Sequence, residues 1–189
     1  MKHLLKSAAL AATMIGSTVA SAQAVAPATI ILVDMDKVIN TSAAGKVAAT
    51  DLKTKADALQ ARVASLQTQF GSEQATLQKT APAPAAAPAV ITAFQAKVRD
   101  FQTRQQKAEN DLNNSQRDFQ ASRQYVIKQL NDGAQPIIST IMRERGASIV
   151  LAEGATLQHT SALDVTTDVI ARLDKSLPRV STTAPAGAR

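Results

Sequence analysis

Apolar side chains recur in alternating steps of four and three from Leu52 to Leu77, stop at a proline-rich break, and resume with the same spacing from Phe94 to Val126. In the first run Leu52, Ala56, Leu59, Val63, Leu66, Phe70 and Leu77 take the seam positions, and Glu73 fills the one skipped. A 3.5-residue period keeps one stripe of a helix turned toward a neighbouring helix, so the pattern predicts a coiled-coil seam. The second run is Phe94, Val98, Phe101, Gln105, Ala108, Leu112, Ser115, Phe119, Ser122 and Val126. Between the runs, residues 81–88 hold three prolines, each lacking an amide donor and clashing with the turn before it. A short connection usually makes the flanking helices antiparallel neighbours. The chain is therefore expected to form a long helical hairpin rather than two independent coiled-coil segments. With 38 residues from Ala43 to Thr80, each arm would be roughly 57 Å long at 1.5 Å per residue.

Folding about the break predicts which layers meet. Phe70 should lie near Val98 and Phe101, Val63 near Gln105 and Ala108, and Leu52 near Ser115 and Phe119. The returning helix can continue through Leu130, Ala134, Ile137 and Ile141, where the steps lengthen as in a stutter. Pro136 is a point for a kink or a division. Gly146, preceded by Arg143 and Arg145, has the chemistry of a helix C-terminus.

Little remains for a globular core. Tryptophan and cysteine are absent, there are four Phe and one Tyr, and alanine, which buries little area, dominates the apolar count. The N-terminus reads as a cleaved export signal over residues 1–22: Lys2, His3 and Lys6 precede an apolar stretch, Ala8 to Val19. Small residues then offer cleavage after Ala22 or Ala24. Removing residues 1–22 takes the net charge from +6 to +4. Absence of cysteine excludes disulfides, thiol nucleophiles and thiolate metal sites, and His159 is then the sole histidine. No cofactor and no metal site is expected.

The ends of the exported chain supply a small β head. Residues 29–35 read as a buried strand, 148–152 as a second, and Thr156–Thr160 as a short polar strand pairing back. Asp164 opens a closing helix with Val165, Val169, Ile170 and Leu173. The fold class is thus mainly α with a small β head (α+β). Residues 23–42 and 147–177 form the head, 43–146 the hairpin arm with its tip at 81–88, and 178–189 a disordered tail. Strands this few and short make a poor independent core, so the head is expected to oligomerise.

An export signal, a strand followed by Ser42-Ala43-Ala44-Gly45-Lys46, a long hairpin and a closing strand–turn–helix together resemble the Skp/OmpH periplasmic chaperones. The closing part is Ser148 to Glu153 with Ala162 to Leu173, and the likeness runs to about residue 177. The resemblance implies a homotrimer whose strands join in a central head, with three hairpin arms enclosing a cavity. It implies a holdase for unfolded outer-membrane β-barrel proteins and peripheral contact with anionic lipid. One departure stands out. Arm tips in the family are typically basic, whereas residues 80–96 carry no charge and Lys79, Lys97 and Arg99 are the nearest cations.

Holding unfolded chains takes weak, multiple contacts and no catalytic residue. From Lys46 to Lys128 the arms carry 12 Lys/Arg against 7 Asp/Glu. Such a field attracts acidic partners and speeds their capture. The candidate client-binding residues are Lys53, Lys55, Arg62, Lys97, Arg99, Arg104, Lys107, Arg117, Arg123, Tyr125 and Lys128. Seam packing accounts for the four Phe, leaving Tyr125 as the aromatic off the seam. Gln105, Ser115 and Ser122 should loosen the seam and let the arms flex.

Three rivals are weaker. Ile30-Ile-Leu-Val-Asp34-Met-Asp36 resembles the nucleophile loop of haloacid dehalogenase-like phosphatases, but no βα alternation follows, and Glu109, Asp111 and Asp118 fall on the hairpin. A hairpin adaptor docking one fixed partner usually belongs to a larger chain. Nucleic-acid binding is disfavoured by export and modest charge.

Overall fold

The computed structural model describes residues 28–185, so the expected export signal and residues 186–189 lie outside the described residues. The elements run β1 (Ile30–Val33), α1 (Met35–Thr41), α2 (Ala43–Lys79), α3 (Pro88–Arg145), β2 (Ile149–Ala152) and α4 (Thr166–Ser176). Two 3-10 turns, Glu153–Ala155 and Ser161–Leu163, lie between β2 and α4. The fold is mainly α with a small β part.

The arms end where the chain chemistry says they must. Proline begins α3 at its first turn, where a missing donor costs nothing. Gly146 ends it in the left-handed conformation, φ 60°, with its N–H directed to the Met142 and Arg143 carbonyls. Pro136 does not divide α3, which stays one helix of 58 residues. It sits on the exposed face, where water can satisfy the carbonyl it leaves unbonded.

β1 pairs with β2 in parallel, Ile30 opposite Ile149 through Val33 opposite Ala152, so the whole hairpin is the crossover between them. On its other side β1 is bridged by the chain at Asp164, and the Val165 N–H donates to the Leu32 carbonyl. Two strand expectations are corrected. The first strand stops at Val33, because the Asp34 carboxylate accepts from the Lys37 N–H and caps a helix that already contains Met35. Residues 156–160 form no strand. The Thr156 N–H and hydroxyl both donate to the Glu153 carbonyl, closing a local turn that competes with strand pairing.

The core is one cluster at the base of the arms: Ile31, Val33, Val38, Ala44, Ala48, Val126, Leu130, Ala134, Ile141, Val165, Val169 and Leu173. Leu52 packs against this cluster, head-ward of its expected layer. The elbow between α1 and α2 explains the Ser42–Lys46 segment. Buried Ser42 ends α1 through its N–H to the Val38 carbonyl and starts α2 by accepting from the Gly45 N–H. Ala44 is buried and Gly45 faces the Ile39 carbonyl, so only small residues fit. Removing the cap with Ser42→Ala should cost about 1 kcal/mol in a chemical denaturation experiment.

The tail expectation also changes. Val180 packs against the core cluster, and Gln129 holds Ser181 through two hydrogen bonds. A single apolar anchor in a Pro/Thr/Ala-rich stretch carries no periodicity, which is why composition suggested disorder.

The candidate client-binding surface

Along the arms, packing runs tight, loose and tight again. At the base, Ser122 and Val126 are buried. Further out, Ser115 and Phe119 share the lining of an open cleft of about 420 Å³ with Ala58 and Leu59, not Leu52, and with Lys55, Arg62, Asp118 and Ser122. Beyond it Leu66 and Phe101 are buried again, and Phe70 meets Phe101 edge to face with centroids 5.8 Å apart. Toward the tip Leu77, Phe94, Val98 and Gln105 line a second shallow cleft. Val63 and Leu112 are half-buried, and Ser115 is exposed.

Glu73, the charge that interrupts the first heptad run, has a definite partner. Arg104 of α3 grips it across the hairpin through both guanidinium Nη atoms, one at 2.9 Å, and also reaches Asp100 through Nε at 2.8 Å. Fork-to-fork geometry makes this a stronger contact than an ordinary surface pair. The hydrogen bonds from Arg104 hold the Glu73 carboxyl below its ordinary value of 4.5. A depressed carboxylate contributes stability above its unfolded pKa and loses it as pH falls through the folded one. The outer hairpin should therefore loosen below pH 4.5, and Glu73→Gln should shrink that pH dependence, leaving the part due to Asp100, which also holds Arg104. Helicity measured against pH for both forms checks this.

The candidate cations divide into two groups. Lys53 pairs with Asp57 at 2.7 Å, Lys128 with Asp132 at 2.5 Å, Arg104 with Glu73, and Arg117 with the Asn114 side chain. Lys55 donates to the Thr182 carbonyl. Lys97, Arg99, Lys107 and Arg123 lie exposed along α3, and Arg62 lies on α2 beside the cleft. Tyr125 is half-buried, its carbonyl accepting from Gln129. The engagement of Arg104 and Lys55 with the fold was missed. Glu73 at a seam position was the available signal for the first; nothing in the periodicity pointed to the second.

In the head, Asp34 is occupied as a helix cap, and its own N–H donates to the Thr166 hydroxyl at 2.9 Å. Asp36 falls in the first turn of α1 rather than on a nucleophile loop. His159 lies between the Thr160 carbonyl and the Glu153 carboxylate, each at 3.2 Å, and both raise its pKa. Among the described residues no group of three or more His, Asp or Glu is placed to hold a metal, and no helix is long and apolar enough to cross a membrane.

β2 is the open side of the sheet. Val150 packs inward on the core cluster, whereas Ile149 and Leu151 alternate outward, 40% and 36% exposed. Nothing in the described chain pairs with its outer edge.

Comparison with known proteins agrees with this architecture. The model of the OmpH-like outer membrane protein family matches residues 29–173. A crystal structure of a candidate outer membrane chaperone (OmpH-like) from Caulobacter crescentus superposes with a TM-score of 0.63. It shares 20% sequence identity, and the match covers 88% of this chain and 96% of that one. A search of curated proteins finds no match.

Proposed function

Because the chain belongs to the OmpH-like outer membrane protein family, we propose that it is a periplasmic holdase that binds unfolded outer-membrane β-barrel proteins and keeps them from aggregating in transit. The observation that carries this reading is a pair of long basic arms on a head whose sheet edge is unpaired. Three copies joined along β2 would cover Ile149 and Leu151 and set three hairpins around one space. The working contacts are Lys97, Arg99, Lys107 and Arg123 along α3, with Arg62 and Tyr125 beside them. Weak charge–charge contacts on long helices suit a partner that must be caught quickly and released whole. No bond is made or broken. The uncharged tip leaves any anionic lipid contact to Lys79, Lys97 and Arg99 at its flanks.

Charge reversal is the test of the working surface. Lys97→Glu, Arg99→Glu, Lys107→Glu and Arg123→Glu together should slow capture of an acidic unfolded barrel protein at least about 10-fold at low salt. The difference should shrink as salt rises. Equal capture rates for both proteins at low salt would sink this assignment.

A further inference from the structure

The family match stops at residue 173, but the ordered chain continues past it, back across the base of both arms. We propose that residues 177–183 are a strap that clamps α2 to α3 at the arm base and fixes the point from which the arms bend. Consecutive strap residues are held by opposite arms. Gln129 of α3 accepts from the Ser181 N–H at 3.0 Å and donates to the Ser181 carbonyl at 2.8 Å. Lys55 of α2 donates to the next carbonyl, that of Thr182. Both side chains grip the strap's backbone, and Val180 sets its depth by packing on the core cluster.

Its exit from α4 is built in as well. A Cβ on Gly133 would come within 2.8 Å of Leu177 Cδ2 and 3.2 Å of Leu173 Cδ1, so the absent side chain is what lets Leu177 lie against α3.

Position gives the strap its consequence. Head-ward of it the hairpin merges into the buried cluster of Leu130 and Ala134, with Leu52 packed on it. Lys55, which it grips, also lines the 420 Å³ cleft, where Leu59 and Phe119 face open space. A clamp at the boundary between rigid and loose packing acts as the fulcrum of the loose part. Its hydrogen bonds are partly exposed to water, so it can open without unfolding the head.

Two variants test this by different routes: Gln129→Leu, which removes both bonds to Ser181 while keeping bulk, and a chain ending at Ser176. In each, amide hydrogen exchange in residues 51–62 and 115–129 should rise about fivefold or more, while β1 keeps its protection. Spin labels on Ala85→Cys at the tip and Ala162→Cys in the head, the two cysteines of a chain that otherwise has none, should report a broader spread of tip-to-head distances. Unchanged exchange and spread in both variants would overturn the proposal. So would exchange rising equally through β1, which would mean that the segment merely stabilises the head. These readouts follow arm motion alone and do not depend on what the arms bind.

Discussion

Gly45→Ala is expected to destabilise the head by about 3 kcal/mol, a large effect for one methyl group. The new Cβ would fall 1.7 Å from the Ile39 carbonyl oxygen and 2.9 Å from its carbon. Neither atom is the flexible end of a side chain, so α1 and α2 must move apart. Their separation would open the elbow held by Ser42 and by the Ala43 N–H on Asp174 at 2.7 Å. Val38 and Ala44, both fully buried, would lose their packing with it. Gly71→Ala on the same helix is the matched control. A Cβ there meets nothing within 4 Å, so helix propensity alone should act and stabilise by about 1 kcal/mol. Chemical denaturation of both proteins decides the matter; destabilisation of equal size in the two would show that the elbow is not tight.

The second large effect concerns the open sheet edge. If copies join along β2 as proposed, Ile149→Lys with Leu151→Lys should leave monomers, weakening association about 100-fold or more, because an unpaired buried charge costs about 3 kcal/mol or more. Both positions face outward on an edge strand, and lysine there is how natural sheets block edge-to-edge pairing. The monomer should keep its internal core, since Val150 and β1 face inward. Static light scattering with circular dichroism separates the outcomes. An unchanged mass would place the interface elsewhere, and a lost helical signal would show that the head cannot stand without its neighbours.

How far the sequence reached depended on the kind of interaction. The hairpin was legible because its seam repeats over many turns and its break holds three prolines, so each element reinforces the next. Gly146 was legible for the same local reason, a glycine after two arginines at the end of a periodic run. Layer pairing was right where large side chains fix it, as for Phe70 with Phe101. It slipped at Leu52, where the base of the arm packs on the head rather than on α3 alone. Features that depend on distant partners were hidden. The Thr156–Thr160 segment has strand-like composition, but its bonds go to Glu153, three residues before it. The strap is invisible as a pattern because its grip comes from Gln129 and Lys55, about 50 and 130 residues away along the chain. In the sequence Arg104 is one more surface cation, and only the folded hairpin sets Glu73 opposite it. Of the candidate site, the basic arms were readable; which cations remain available to a partner was not.

The role proposed for these arms is to keep an unfolded barrel protein from aggregating. The test dilutes a urea-unfolded outer-membrane β-barrel protein into buffer with a modest molar excess of this protein and follows light scattering. Scattering should stay near the level of the buffer alone, with the barrel protein held in a soluble complex and able to fold when lipid vesicles are added. Scattering that rises as it does without the protein would contradict that role.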